Sequence, residues 1–268
     1  MLLSSVIIVL REVLEAALLI SLLLAFSTRI GVRGAWLMVS LAAGAAGAVL
    51  YGFNIDIVSD WFDGVGQEVV NAVLQVAIYL NLCLIAVLGA RVLQGEGSGG
   101  ALLMVAMVFT VATAIIREGS EILVYFSGFF ALPEQLLSVT VGGVIGAGIG
   151  ASAGGVFYYA LLSMRGKLAW SAGLSLLALV SGGMAMQATQ LLIQADWLPA
   201  GYPVWNSSWL VEESSVTGQL LYALLGYEAA PTGLQVAIYL GAVSLIVALA
   251  LASALLTRSP AQARQWAV

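Results

Sequence analysis

Long apolar segments alternate along the chain with short polar connections. Seven segments reach about 20 residues or more, the length a helix needs to cross roughly 30 Å of hydrocarbon. Runs such as 6–9 and 174–180, the second with Ser175 as its one polar residue, are apolar on every side, which excludes the alternating strands of a transmembrane barrel. The pattern predicts an all-α membrane protein with seven spans at roughly 2–26, 34–53, 69–90, 101–130, 136–162, 169–193 and 234–257.

One connection, 194–233, is long enough to carry structure of its own. Its second half, Ser215 to Leu225, predicts a short helix that lies at the membrane surface or dips into it. The whole chain is read as a single transmembrane domain, with repeat one at about 1–93, repeat two at about 101–193, this external loop and a last helix.

Composition excludes several classes of protein. With 62% hydrophobic and 9% charged residues, the chain is far too apolar for a water-soluble globule. Its one cysteine, Cys83, and its lack of histidine argue against disulfides, zinc sites and histidine-based catalysis. A net charge of −5 with nine basic residues argues against nucleic acid as a partner.

Basic residues predict the orientation, because Lys and Arg are retained on the cytoplasmic side. Seven of the nine fall in alternate connections or the C-terminal tail: Arg29, Arg33, Arg91, Arg165, Lys167, Arg258 and Arg264. The opposite connections are acidic and contain no Lys or Arg. We therefore expect the N-terminus outside and the C-terminus inside.

Spans 1–3 and 4–6 resemble two copies of one unit. Arg11-Glu12-Val13-Leu14-Glu15 recurs 106 residues later as Arg117-Glu118-Gly119-Ser120-Glu121. The small-residue run 42–48 is matched at the same offset by 148–154. Because three spans separate the copies, they enter the membrane from opposite sides, which predicts an inverted 3+3 repeat plus one added helix. A second repetition, LQVAIYL at 74–80 and 234–240, has no explanation at the level of sequence.

The two recurring motifs place six ionisable side chains inside predicted spans: Arg11, Glu12, Glu15, Arg117, Glu118 and Glu121. Each costs roughly 2.5–3.5 kcal/mol near the bilayer centre, so they are expected to face the bundle interior. Positions i, i+3 and i+4 lie on one helix face, and two arginines against four glutamates leave a net charge of about −2.

Such a site suits a cation. Oxygen ligands without imidazole or thiolate favour a hard ion over zinc, copper or nickel. The alternative is a pair of buried ion-pair clamps with no ligand. Polar residues in spans 3 and 6 are candidates to support the site or simply to bond helices together: Asn71, Gln75, Asn81, Gln187, Gln190 and Gln194.

Two further patterns carry weaker expectations. Gly142, Gly146, Gly150 and Gly154 form a ridge every four residues that predicts close helix packing. External carboxylates predict an acidic vestibule that concentrates cations or docks a partner: Asp56, Asp60, Asp63, Glu212 and Glu213.

Two R-E-x-x-E motifs on spans 1 and 4 of a seven-span chain resemble the oxidase-dependent iron permeases, a family that includes the yeast high-affinity permease and bacterial relatives. The last external loop is also similar, in the segments 205–210 and 217–227 followed by Pro231. The resemblance implies iron uptake, with Glu12, Glu15, Glu118 and Glu121 as metal-handling carboxylates supported by Arg11 and Arg117.

The resemblance also implies a transporter of the cytoplasmic membrane and not an enzyme. Its substrate would be iron imported as Fe(III), coupled to oxidation of Fe(II) by a partner, with no permanently bound cofactor. Implied partners are a periplasmic iron-binding protein, a copper oxidase or cupredoxin, and a ferredoxin-like protein. Two alternatives stay open: a carrier of another cation such as manganese or lead, or a membrane di-iron carboxylate enzyme, which the lack of Glu-x-x-His pairs disfavours.

Overall fold

The protein is helical throughout the residues described by a computed structural model, 1–32, 34–93 and 100–256. These residues contain no β-strand, only an isolated bridge between Pro203 and Thr232. The helices are α1 (Leu2–Arg29), α2 (Ala35–Phe53), α3 (Ile55–Ser59), α4 (Gly66–Leu93), α5 (Gly100–Ser127), α6 (Pro133–Ser163), α7 (Gly166–Gln194), α8 (Val216–Leu225) and α9 (Gly233–Leu256). A 3-10 turn, Trp61–Gly64, joins α3 to α4.

The seven long helices predicted from hydrophobicity are present, with ends that differ by a few residues. Six of them, α2, α4, α5, α6, α7 and α9, are long and apolar enough to cross a membrane. The first helix differs because Arg11, Glu12 and Glu15 interrupt its apolar surface. Within the described ranges, six helices are therefore candidate spans by length and apolarity, and both the seventh span and the orientation of the termini stay predictions. Three basic residues used for that orientation, Arg33, Arg258 and Arg264, lie outside the described residues.

Each motif helix packs against a helix from the other half of the chain. Helix α1 lies along α6, and α5 lies along α2. Both pairs run parallel, since contacts advance together along the two helices: a Cβ on Gly44 would meet Ile115, and one on Gly52 would meet Leu123. The first and second long helices of one half thus pack against the second and first long helices of the other half. A two-fold relation between the halves would produce this arrangement.

The glycine ridge of α6 lies against α1. A Cβ added to Gly150 would lie 3.0 Å from Val13 Cγ1, and one on Gly154 would lie 2.7 Å from Ala17 Cβ. In contrast, Cβ atoms on Gly148 and Gly155 would meet nothing within 4 Å. The ridge therefore permits close helix contact, as the four-residue spacing predicts.

The remaining spans complete the bundle. Helix α7 packs against both α4 and α9, and α4 also packs against α5. The common core is apolar and includes Leu23, Ile78, Leu82, Leu103 and Met107, all essentially inaccessible to solvent. Cys83 belongs to this core.

The short helix α8, predicted from residue 215 onward, enters the bundle and packs against α1 and α7. Its N-terminus is capped by Ser215, whose hydroxyl accepts from the Gly218 amide at 3.0 Å. It ends at Gly226, which has a left-handed φ of 66° that glycine adopts without strain. A Cβ on Gly226 would lie 2.5 Å from Gly183 Cα, so the end of α8 touches the backbone of α7.

Candidate metal site between helices α1 and α5

The two R-E-x-x-E motifs meet in the interior, where α1 contacts α5. Glu12, Glu15 and Glu118 are each only 3% exposed, and Arg117 is 4% exposed. Isolated charges at such positions are strongly unfavourable, so their stability depends on one another. The structure therefore brings together the six ionisable residues that the sequence placed within the bundle.

Arg117 binds carboxylates from both motifs. Its Nη1 lies 3.3 Å from Glu15 Oε2 and also contacts Glu118 Oε1, while its Nη2 lies 3.5 Å from Glu121 Oε1. The planar guanidinium presents several donors in fixed directions, which suits the binding of three carboxylates at once. Arg117 thus joins α1 to α5 through its contact with Glu15.

Arg11 occupies the equivalent sequence position but a different environment. Its side chain is 42% exposed, against 5% for Arg117. Its Nε lies 3.0 Å from Glu12 Oε1 and 3.7 Å from Glu15 Oε1, and its Nη2 lies 3.9 Å from Glu121 Oε2. Two of these three distances exceed the usual length of a hydrogen bond between a guanidinium nitrogen and a carboxylate oxygen. The two arginines are therefore not equivalent in the folded protein.

Three carboxylates are placed to share one cation. Glu12, Glu118 and Glu121 each offer an oxygen, and these oxygens lie within 4.8 Å of one another. Two oxygens bound to the same ion at about 2.0–2.6 Å can be separated by up to twice that bond length. Oxygens within 4.8 Å of one another can therefore share one ion. The buried oxygens Glu12 Oε2, Glu15 Oε1 and Glu118 Oε2 have no hydrogen-bond partner. Buried oxygens without donors are the groups that a cation would satisfy.

Glu15, like Glu121, lies between the two arginines, but it is not among the three glutamates whose oxygens cluster. It is held by Arg117 at 3.3 Å and faces Arg11 at 3.7 Å. The Gln187 amide on α7 adds a long donor contact of 3.5 Å to Glu15 Oε2. Glu15 thus belongs to the charge network, while Glu12, Glu118 and Glu121 form the oxygen cluster.

Glutamines from α4 and α7 support Arg117. Gln75, fully buried, contacts the amide of Gln187, and its own amide lies 3.1 Å from Nε and Nη1 of Arg117. With its oxygen turned toward the guanidinium, Gln75 accepts from both nitrogens. Two of the polar residues predicted to support the site therefore reach it. Asn71 and Asn81 do not, since they bond Tyr51 and the Ala77 carbonyl of their own helix.

The repeated LQVAIYL segment gains an explanation from these contacts. In both copies the glutamine is buried and reaches a glutamine of α7: Gln75 contacts Gln187, and Gln235 donates to Gln190 at 2.8 Å. Gln187 and Gln190 are one turn apart, so α4 and α9 use the same short sequence to bond neighbouring positions of α7. The sequence alone does not show this, because the two copies lie in helices with different neighbours.

A cavity of about 420 Å³ extends from the motifs toward the loop after α7. Of the motif residues, Arg11 lines it, together with Gln187 and Tyr222. Farther along, its lining includes Glu213 and Glu228. Among the five carboxylates predicted to form an acidic vestibule, Glu213 is the one that lines this cavity, whereas Asp56 and Asp60 lie in and beside α3. Met186 also lines it.

Glu228 was not singled out by the sequence, because a carboxylate in an external loop has no distinctive spacing. Its Oε2 accepts from Gln235 Nε2 at 2.6 Å. Burial and the nearby Glu213 carboxylate raise the pKa of Glu228 to about 7, in opposition to the Gln235 hydrogen bond. Tyr222 was also missed, since a tyrosine in an apolar helix reads as packing.

Comparison with known proteins agrees with the motifs. The chain matches the model of the iron permease FTR1 family over residues 2–260, which is nearly its whole length. No curated protein and no solved structure gave a significant match.

Proposed function

Because the chain belongs to the iron permease FTR1 family, we propose that it imports iron through the carboxylate site between α1 and α5. The family assignment makes the chain a membrane transporter of iron. The finer proposal is that iron arrives as Fe(III), after a partner oxidises Fe(II), and crosses the cytoplasmic membrane. Glu12, Glu15, Glu118 and Glu121 handle the ion, and Arg11 and Arg117 support them.

One observation carries this proposal: carboxylates from both motifs converge on a common point with unpartnered oxygens. Glu12 comes from α1, whereas Glu118 and Glu121 come from α5, and their ligand oxygens lie within 4.8 Å of one another. A structural clamp would surround each buried carboxylate with arginine, amide or hydroxyl donors, yet Glu12 and Glu118 lie within hydrogen-bonding reach of each other and their Oε2 atoms accept from no such donor. A trivalent or divalent hard cation would satisfy both oxygens.

The path requires α1 to be a seventh span. Helix α1 contains 28 residues, long enough to cross a bilayer, and contacts α6 from Leu2 to Ser21. Since α6 is itself long and apolar enough to cross a membrane, its parallel contact with α1 supports the proposal that α1 crosses at the same depth. Its ionisable residues face α5 and the cavity instead of lipid, which removes the main cost of placing them in the membrane.

The proposed orientation has the N-terminus outside, the C-terminus inside and two inverted halves. The parallel pairs α1 with α6 and α2 with α5 support the two-fold relation. In that arrangement the cavity lined by Glu213 and Glu228 opens outward. A cation therefore passes external carboxylates before it reaches the motifs, and negative charge along the way raises its local concentration.

Partner proteins follow from the same proposal. An oxidase or cupredoxin that delivers Fe(III), and a periplasmic iron-binding protein, would act at the outer end of this cavity. The buried oxygens suit Fe(III), since carboxylates are hard ligands. Manganese and lead remain alternative substrates on the same site. A di-iron enzyme is the less favoured alternative, because the chain lacks the histidines of the usual bundle di-iron centres.

Uptake into proteoliposomes tests the proposal. Labelled Fe(II), Fe(III) and Mn(II) are supplied outside, with and without an external oxidase. The proposal expects iron to accumulate inside, with the oxidase increasing uptake from Fe(II). Preferred accumulation of Mn(II) would assign the site to that ion, and turnover of a bound substrate without accumulation would indicate an enzyme.

A further inference from the structure

The outer cavity and the buried carboxylates are separated by a thin layer of three side chains. Arg11, Gln187 and Tyr222 line the cavity, whereas Glu12, Glu15 and Glu118 do not. Each of the three also faces the charge network: Arg11 binds Glu12, Gln187 contacts Glu15, and Tyr222 lies close enough to Glu15 and Arg117 to interact electrostatically. We call these three residues the cavity floor.

Tyr222 reaches the floor because α8 descends into the bundle. Gly226, which ends α8, contacts Gly183 of α7. Gly183 lies eleven residues before the end of α7 at Gln194, a depth of about 16 Å at 1.5 Å per residue. Helix α8 is therefore a half-helix within the bundle, of the kind found at the binding sites of transporters. It also packs its Leu220 and Ala223 against Leu14 and Leu18 of α1.

The two arginines take different parts in this layer. Arg117 is enclosed by three carboxylates and lies away from the cavity, so it is fixed. Arg11 is the exposed one, and it contacts Glu12 and Glu121, which belong to the oxygen cluster. A cation that binds these oxygens competes with the Arg11 guanidinium for Glu12 and Glu121, and repulsion between the two positive charges favours movement of Arg11 away from them.

We propose that the cavity floor is the outer gate of the carboxylate site, with Tyr222 of α8 as its wall and Arg11 as its moving part. This inference rests on the proposed function. A gate changes how fast a cation enters and leaves the site. Truncation of the Tyr222 wall should leave the affinity unchanged, because the carboxylate ligands and the competing Arg11 are the same in the variant and in the wild type.

Binding kinetics of Fe(III), supplied as its citrate complex, test the gate. Association and release into excess chelator are measured in detergent, for the full-length wild type and for Tyr222→Ala. Removal of the ring should accelerate both rates by a similar factor, about tenfold or more, and leave Kd unchanged. Tyr222→Phe keeps the ring, so its acceleration should be much smaller. Tyr222→Val replaces Tyr222→Ala if the alanine variant does not fold.

Leu220→Ala is the matched control. It truncates a side chain of the same half-helix that packs on α1 but does not line the cavity. The gate predicts that its rates stay close to those of the wild type. Equal acceleration in Leu220→Ala would show that loosening α8 is enough, and would overturn the role of Tyr222.

Other outcomes are also decisive. Unchanged rates in Tyr222→Ala would overturn the gate. Weaker binding by Tyr222→Phe would also overturn it, because the phenol oxygen would then be a ligand of the ion. If the wild type binds and transports iron while these results appear, the proposed function stands without the gate. Absence of Fe(III) binding by the wild type would instead overturn the proposed function, and the gate with it.

Discussion

Arg117 Nη1 lies 3.3 Å from Glu15 Oε2, although the two residues are 102 positions apart in the chain. The contact joins the fifth helix to the first, and both groups are almost completely buried. Arg117 holds Glu118 and Glu121 of its own motif at the same time. The two motifs therefore form one charge network, and Arg117 is its central residue.

The first prediction concerns the two arginines. Arg117→Gln leaves Glu15, Glu118 and Glu121 without their common partner, which should cost about 3–5 kcal/mol of stability. Arg11→Gln removes a half-exposed charge but leaves the buried Glu12 without its nearest cation, so it should cost less, about 1–3 kcal/mol. Thermal unfolding in detergent and the yield of folded protein measure the difference. Equal losses would contradict the distinct environments of the two side chains.

Adjacent glycines of α6 provide a second test. Gly154→Ala places a methyl group 2.7 Å from Ala17 Cβ and 3.2 Å from Ser21 Oγ, so α1 and α6 must separate. Overpacking of this kind costs about 1–3 kcal/mol. Gly155→Ala points into open space and should be neutral or slightly stabilising, since alanine is the better helix former. Melting temperatures of the two variants decide the matter, and similar values would argue against the α1–α6 contact.

Glu228 should make stability depend on pH. Its pKa in the folded protein is about 7, raised by burial first and by Glu213 second. The unfolded chain releases this proton at a pH near 4.3, so between about pH 4.3 and 7 the folded state binds more protons than the unfolded state. Stability contributed by this residue is thus present below that window and is lost as pH rises through it.

The variant Glu228→Gln removes this titration. We compare the melting temperature of the variant with that of the wild type at each pH. As pH rises from about 4.3 to 7, the wild type should lose stability that the variant keeps, so the difference should shift in favour of the variant. Glu212→Gln, an exposed carboxylate of the same loop, is the control. A constant difference between Glu228→Gln and wild type across the window would contradict the raised pKa.

The two copies of LQVAIYL give a fourth test. Gln75→Leu removes the acceptor facing Arg117, and an unpaired buried guanidinium nitrogen costs about 1–3 kcal/mol. Gln235→Leu removes bonds to Gln190 and Glu228 and touches neither motif. Both variants should lose stability, but Gln75→Leu alone should also weaken iron binding in a titration. Weakened binding in both would mean that the α9 copy supports the site as well.

Much of the fold follows from hydrophobic pattern. Seven long apolar segments have no stable alternative to helices in a membrane, because every backbone group must be satisfied internally. Repetition of Arg11-Glu12 at Arg117-Glu118, with matching small residues, points to two related halves. The prediction of seven spans is not confirmed for α1 by apolarity, because the ionisable residues that make the site also lower its hydrophobic character.

The difference between the two motifs could not be predicted from the sequence. Arg11 and Arg117 have identical local patterns, and only packing shows that one faces a cavity and the other does not. Tyr222 and Glu228 line the cavity because α8 enters the bundle between other helices. The close contact between Gly226 and Gly183 permits this position of α8. Such contacts between distant glycines leave no periodic signal in the sequence.

Uptake of labelled iron into proteoliposomes, divided by the amount of folded protein, tests the central claim most directly. The variants are Glu12→Gln, Glu15→Gln, Glu118→Gln and Glu121→Gln, each measured with iron binding in detergent; Glu134→Gln, at the N-terminus of α6, is the control. Glutamine nearly preserves volume and removes the charge, so the four variants should insert and fold yet lose most uptake, while the control retains it. Well-folded variants of Glu12, Glu118 and Glu121 with normal iron uptake would contradict the account, because the clustered oxygens would then not carry the ion.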